Sequence, residues 1–320
     1  MPEQNTLPPQ TQGQQPGRET EMHPRPDYAP RFPGSGRLDD KVAIVTGGDS
    51  GIGRAVAVLF AREGANVAIM YLNEGEDARE TERLVKAEGR DCLAIAGDVG
   101  DAGFCEKAVE QVIDRFGRLD VLVNNAGRTQ VGAVEETTED ELRSLFEVHF
   151  FAPAALTRLV LPHMRRQGGG AIVQMSSVGG QVTAPGFGAY CATKYALEGF
   201  TETLRDEVAA FGIRTLIVEP GAFRTGLFRP GAAYESEAMP EYADTVGPTR
   251  AYLRDNNGLQ PGDPVKAAQA ILIALDSDEP PLRLVLGPDA IDNIERRRKT
   301  LADELAAWRA VGEATAVDGP

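Results

Sequence analysis

Tyr190 and Lys194 stand four residues apart in the run Tyr190-Cys191-Ala192-Thr193-Lys194, and Ser177 precedes the tyrosine by thirteen positions. On a helix, positions i and i+4 share a face about one turn apart, so a phenol and an ammonium at this spacing can enter one cleft. A cation beside a phenol favours the phenolate, and a Tyr190 pKa below its reference of about 10 is expected. With a serine hydroxyl to hold an oxygen, such a set can pass a proton to or from a carbonyl or an alcohol. The chemistry implied is that of an oxidoreductase. Tyr-x-x-x-Lys is too short a motif to stand alone, and its weight comes from what lies upstream.

Val42-Ala43-Ile44-Val45 is a short apolar, β-branched run that reads as a buried parallel strand. It ends in Thr46-Gly47-Gly48-Asp49-Ser50-Gly51-Ile52-Gly53, and Arg54 to Arg62 follows with the spacing of an amphipathic helix. A glycine-rich turn between strand and helix lets the backbone approach a pyrophosphate, and the helix N-terminus supplies N–H donors. A tight turn that merely needs glycine is the plainer alternative. Further strands are expected at Asn66 to Tyr71, Cys92 to Ala96, Leu119 to Val123, Ala171 to Met175 and Arg214 to Val218. Helices are expected at Ala102 to Phe116, Glu139 to Arg166 and Tyr190 to Phe211. Such alternation predicts an α/β fold, a doubly wound parallel sheet of Rossmann type. Thr46, Asp98, Asn124, Ser177 and Pro220 then fall just past strand ends, on the rim where such sheets bind ligands.

Taken in order, Thr46 to Gly53, Asp98, Asn124-Asn125-Ala126-Gly127, Ser177, Tyr190 with Lys194, and Pro220-Gly221 followed by Thr225 resemble the short-chain dehydrogenase/reductase superfamily over roughly residues 38 to 290. The branch is the one whose glycine loop reads Thr-Gly-x-x-x-Gly-x-Gly. The resemblance implies that Tyr190 is the acid/base, that Ser177 hydrogen-bonds the substrate oxygen, and that Lys194 holds the nicotinamide ribose and lowers the Tyr190 pKa. It implies a dinucleotide held by Gly47, Ser50, Gly51, Ile52 and Gly53, with Tyr71 closing the second strand and Asp98 and Val99 at the adenine. Asn125, Ala126 and Gly127 would line the cofactor, with Pro220, Gly221 and Thr225 near its carboxamide. Asn124 is expected to tie strands together, and the thirteen-residue separation favours Ser177 over Ser176. The family usually carries Asn in the long helix before the serine strand; here the segment is Val148-His149-Phe150. His149 is thus the fourth catalytic candidate, either a proton relay or a packed, hydrogen-bonded helix histidine. Residues up to about 127 look like bacterial stress-type, glucose-dehydrogenase-like members, and those from Arg128 onward like carbonyl, retinol or hydroxysteroid reductases, as in a natural or engineered mosaic.

The 320 residues suit one domain of about 250 residues plus extensions. A net charge of −15 argues against nucleic acid or an anionic membrane as partner. No run of 18 apolar residues suggests a membrane span. Cys92, Cys105 and Cys191 lack disulfide or metal-ligand spacing, which points to a reducing, cytoplasmic setting with no metal site. Residues 1–37 form a Pro/Gln-rich arm too poor in apolar residues to fold by itself; the resemblance implies that it crosses neighbouring subunits in a dimer or tetramer. Ala222 to about Pro264, an irregular stretch with interspersed aromatics, is expected to be a substrate lid, whose content suggests a hydrophobic carbonyl compound. Its aromatics also suit plain packing onto the body. Residues 291–320 are expected to form a C-terminal surface helix and tail.

Cofactor choice turns on the end of the second strand, Tyr71-Leu72-Asn73, followed by Glu74, Glu76 and Asp77. These carboxylates would repel a 2′-phosphate, so NAD is expected over NADP, with Arg54 and Arg79 as the cations that could swing in for NADP. The competing class is a non-catalytic, dinucleotide-sensing regulator on the same fold. An intact Ser177, Tyr190 and Lys194 weigh against it, since a sensor needs no proton-transfer set.

Overall fold

The structure, a computed structural model, describes residues 34–229 and 233–317. Its frame is a seven-stranded, wholly parallel sheet in the order β3-β2-β1-β4-β6-β7-β9. The strands are β1 (Val42–Thr46), β2 (Asn66–Tyr71), β3 (Cys92–Ala96), β4 (Val121–Asn124), β6 (Gly170–Met175), β7 (Ile213–Pro220) and β9 (Arg283–Leu286). A separate parallel pair joins β5 (Thr129–Val131) to β8 (Ala233–Glu235), in the register Thr129↔Ala233 and Gln130↔Tyr234.

Side chains alternate across a strand with period two, so each strand feeds both faces of the sheet. Ala43 and Val45 enter one core with α1 (Gly51–Arg62), α2 (Gly75–Ala87) and α8 (Pro264–Asp276). Val42 and Ile44 enter the other with α3 (Ala102–Phe116), α5 (Ala152–Gln167) and α6 (Gly188–Val208). The strand order reverses between β1 and β4, which opens a crevice at their carboxyl ends.

Local chemistry sets the helix limits. The Asp101 side chain accepts from the N–H groups of Gly103 and Phe104 to start α3, and left-handed Gly117 (φ 75°) ends it. A capping box between Thr138 and Glu141 starts α4 (Glu139–Phe146). The single long helix expected from 139 to 166 is instead broken by a π turn over Glu147–Phe151, which carries His149. A π turn inserted in an α-helix is a frequent mark of a functional site. Glu139–Gln167 is by length and composition apolar enough to cross a membrane, and 44% of its apolar window is buried in the fold. Among these residues Leu156, Val160 and Met164 belong to the second core.

The stretch read as irregular contains β8 and a further helix, α7 (Gly247–Asp255). Val246 and Leu253 join Val131 and Ala133 in a small third core, with Phe187, Phe228 and Tyr242 packed on it. Packing onto the body therefore accounts for part of its apolar content. The last helix, α9 (Pro288–Glu313), buries Ala290 and Ile294, but from Lys299 onward its residues are exposed, including Trp308, the one tryptophan of the chain. The Pro/Gln-rich arm lies, except for its last four positions, outside the described residues.

Candidate active site

One cavity of about 600 Å³ runs along the carboxyl rim of the sheet. The glycine turn enters it between β1 and α1. Gly47 and Gly51 have φ of 59° and 54°, a region that favours glycine. A Cβ on Gly53 would lie 2.1 Å from the Gly47 carbonyl oxygen, so the turn closes only because that side chain is absent. Gly53 is accordingly a packing residue beneath the turn, whereas Gly47, Ser50, Gly51 and Ile52 line the cavity. Ser50 makes no side-chain cap bond, and no acidic side chain occupies the first turn of α1. An anion at this helix end meets N–H donors and a positive dipole end, so the turn fits a pyrophosphate.

The residues at the next strand ends brace the turn or line the cavity. Thr46 Oγ1 accepts from the N–H groups of Asn125 and Ala126, both at 2.9 Å, while the Asn125 side-chain amide donates to the carbonyls of Thr46 and Gly47. Asn124 ties β4 to β6 through Gln174 Oε1 at 3.0 Å, the strand-linking part expected of it. Tyr71, Asp98, Val99, Asn125, Ala126, Gly127, Pro220, Gly221 and Thr225 all border the cavity.

Ser177, Tyr190 and Lys194 converge on the same cavity. Ser177 caps a short 3₁₀ turn, its Oγ accepting from Gly179 N–H at 3.1 Å, and its hydroxyl is near enough to the Tyr190 phenol to pull the phenol's pKa down. Ser176 is different: it is buried and donates to Glu198 Oε1 at 2.5 Å. Lys194 is buried, with Nζ donating to the Met175 carbonyl at 2.9 Å and lying 5.7 Å from the Tyr190 ring centroid. Burial brings its pKa down to about 8, against the opposing pull of Glu198. The expected depression of the Tyr190 pKa is not what the site shows. Burial pushes the phenol up to about 12, and the Ser177 hydroxyl offsets only part of that.

His149 is fully enclosed, and both ring nitrogens are engaged. Arg128 N–H donates to Nε2 at 3.1 Å, and Nδ1 lies 2.9 Å from Thr193 Oγ1. The Thr193 hydroxyl proton goes to the Tyr190 carbonyl at 2.7 Å, so Thr193 must accept from Nδ1–H. The imidazole is therefore the neutral Nδ1–H tautomer, and burial together with Lys194 and Arg128 holds its pKa well below the usual value. Its ring meets Tyr190 edge-on, with centroids 5.4 Å apart. Both nitrogens are thus occupied, as the packed, hydrogen-bonded alternative requires, and the residue also borders the cavity. His149→Leu is expected to leave the Arg128 N–H and Thr193 without their partner, costing about 1–3 kcal/mol of stability. His149→Asn, which can still accept and donate, is expected to recover most of it. Equal denaturation midpoints for the wild-type and Leu proteins would contradict this reading.

A group absent from the sequence reading supports the site from behind. Arg283 on β9 pairs with Glu198, with Glu219 and, at 2.6 Å, with Glu202. Gln181 Nε2 donates to Glu219 at 2.6 Å. Glu198 follows Lys194 by one helical turn, Ser176 precedes Ser177 and Glu219 precedes Pro220, so one guanidinium fastens the supports of three site elements. At the other end, Arg54 is buried and held by Thr81 Oγ1 at 2.9 Å, by Asp77 Oδ1 at 3.5 Å and by the Asp49 carbonyl. It cannot swing toward a ribose as supposed. Asp49, beside Glu74 and Asp77, has its carboxyl pushed up to about 6, chiefly by burial.

Comparison with known proteins agrees with this arrangement. The model of the short chain dehydrogenase family matches residues 41–235. General stress protein 39 of Bacillus subtilis is 39% identical over 275 residues, covering 85% of this chain and 91% of its own. That one alignment spans both sides of Arg128, where a change of subfamily was expected. A short-chain dehydrogenase from Streptomyces avermitilis superposes with a TM-score of 0.80 at 51% identity, over 86% of this chain and 98% of its own. A short-chain dehydrogenase/reductase from Burkholderia phymatum in complex with NAD superposes with a TM-score of 0.74 at 25% identity, over 84% of this chain and 96% of its own. Glycine turn, rim and converging Ser, Tyr and Lys thus sit on a shared frame, and the chain belongs to the short-chain dehydrogenase/reductase family of nicotinamide-dependent oxidoreductases.

Proposed function

We propose that the chain interconverts a ketone or aldehyde and the corresponding alcohol, with Tyr190 as proton donor and acceptor. The observation that carries this reading is the convergence of Ser177, Tyr190 and Lys194 on the cavity that also contains the glycine turn. When bound, the nicotinamide cofactor supplies or takes up the hydride. The glycine turn would hold its pyrophosphate, and the rim from Asp98 to Gly127 its adenosine and ribose. Ser177 Oγ would hydrogen-bond the substrate oxygen and Tyr190 would pass its proton to that oxygen. A phenol with a pKa of about 12 stays protonated at neutral pH, the form needed to donate in reduction. Lys194, positively charged over most of the neutral range, supplies the charge that offsets a phenolate as it forms. Screening reduced cofactors against aldehydes, ketones, steroids and sugars by absorbance loss tests the reading. Tight nucleotide binding without any turnover would favour a sensor instead.

The same reading includes NAD(H) over NADP(H). Similar solved structures carry either NAD or NADP, so the choice rests on this chain's own wall. Near Tyr71 and Leu72 that wall presents Asp49 and Glu74, with no cation among the described residues lining that end. Of the two cations named for this part, Arg54 is pinned and exposed Arg79 is left to meet a 2′-phosphate. NADH is expected to bind about tenfold tighter than NADPH, equivalent to about 1.4 kcal/mol. Dissociation constants measured side by side at fixed ionic strength check it, and tighter NADPH binding would reverse the assignment. A homo-oligomer and a partly apolar substrate belong to the same proposal, the latter supported by Leu227, Phe228 and Tyr234 in the cavity wall.

A further inference from the structure

Two cations line the cavity among the described residues, Lys194 and Arg128. Lys194 is committed to the Met175 carbonyl. Arg128 lies where β4 passes into β5, and its own N–H fixes it to His149, whose ring abuts Tyr190. Its guanidinium stacks 4.3 Å from the centroid of the Tyr234 ring, which the β5–β8 pairing brings across from the insertion. One terminal nitrogen donates to Ser144 Oγ at 2.8 Å. Its Nε is buried and has no hydrogen-bond partner among the described residues. No carboxylate of the described residues lies within ion-pair distance of it, Glu147 on the same wall included.

The Nε–H is enclosed, whereas the rest of the half-buried guanidinium opens on the cavity. The cavity-facing edge of this guanidinium suits a planar anion, since its parallel donors match a carboxylate. Stacking on Tyr234 fixes the plane of the fork beforehand, which reduces the ordering cost of using it. Leu227, Phe228 and Tyr234 supply the apolar contact for the part of a ligand between that anion and the reacting carbon.

We propose that Arg128 anchors the substrate, and that the preferred substrates are carbonyl compounds carrying a carboxylate across an apolar or aromatic spacer. This deepens the carbonyl-reductase reading and rests on it. The test compares 4-carboxybenzaldehyde with 4-methylbenzaldehyde, using the full chain and NADH. The wild type is expected to favour the carboxylated aldehyde in kcat/KM by about tenfold or more, with a preference that shrinks as ionic strength rises. Arg128→Met should cut the ratio of the two kcat/KM values by about 10- to 100-fold, the usual worth of a charge-assisted hydrogen bond. Arg128→Lys should restore part of it. A wild-type enzyme that reduces the methyl compound as well as the carboxylate, or a preference that survives in Arg128→Met, overturns the anchor while leaving the reductase reading intact. If neither aldehyde is reduced, the reductase reading is in question and calorimetry decides the anchor. 4-Methylbenzoate should then bind the NADH-loaded wild type and not the Met variant, and equal binding to both refutes the proposal.

Discussion

Tyr190→Phe is expected to lower turnover by about 10² to 10⁴, the usual worth of a positioned acid or base. The substitution removes one hydroxyl and keeps the ring, so the edge-on contact with His149 and the packing against Phe187 are retained. Lys194 keeps its bond to the Met175 carbonyl, and the glycine turn is untouched. Nucleotide affinity should therefore change little, and the loss should appear in kcat. Stopped-flow turnover and nucleotide titration of the same preparation separate the two quantities. Near-normal turnover in the Phe variant would remove Tyr190 from the proton-transfer step, and a parallel loss of nucleotide affinity would make it a cofactor-binding residue first.

Arg283→Met is expected to cost about 3 kcal/mol or more in folding stability, because it leaves Glu198 and Glu219 buried without their cation. Denaturant unfolding at neutral pH measures it. The dependence on pH gives the signature of charge. Burial and the repulsion of Glu219 already raise the Glu198 pKa against the pull of Ser176 and Arg283, and without Arg283 the Glu198 carboxyl would hold its proton more tightly still. The folded variant then binds more protons than the unfolded chain above the ordinary carboxylate pKa of about 4.3, so its stability falls as pH rises. The deficit against wild type should be smallest near that pKa and largest at neutral pH. Arg283→Met combined with Glu219→Gln should recover part of it. A loss under about 1 kcal/mol that does not vary with pH would show that the cluster is held by packing.

Strands and the motif-bearing turns were legible because their signals are local. β2, β3 and α3 have the limits expected from apolar runs and flanking turns, and Ser177, Tyr190 and Lys194 meet as their spacing suggests. α2 went unread because its sequence is mostly charged, and only Asp77, Ala78, Thr81 and Val85 face inward. The π turn was hidden because nothing in Glu147-Val148-His149-Phe150-Phe151 forbids ordinary helix; tertiary bonds to Arg128 and Thr193 are what fix His149 there. β5 and β8 are three residues each and pair across about a hundred positions, so neither registers as a strand alone. The Arg283 cluster joins residues 64 to 85 positions apart, and the Arg128–Tyr234 stack depends on that short pairing. Both are products of topology. The mistaken expectation for the Tyr190 pKa has a similar origin: spacing places a cation nearby, but how far burial opposes it depends on the whole enclosure.

The single indole of the chain sits near the far end of α9, 69% exposed and beyond the turns that pack on the body. Tryptophan emission from this protein is consequently a local gauge of one helix end in water, remote from the sheet interior and from the cavity. Spectroscopic signals from the folded body fall instead to the six tyrosines of the described residues, among them Tyr71, Tyr190 and Tyr234 on the cavity wall.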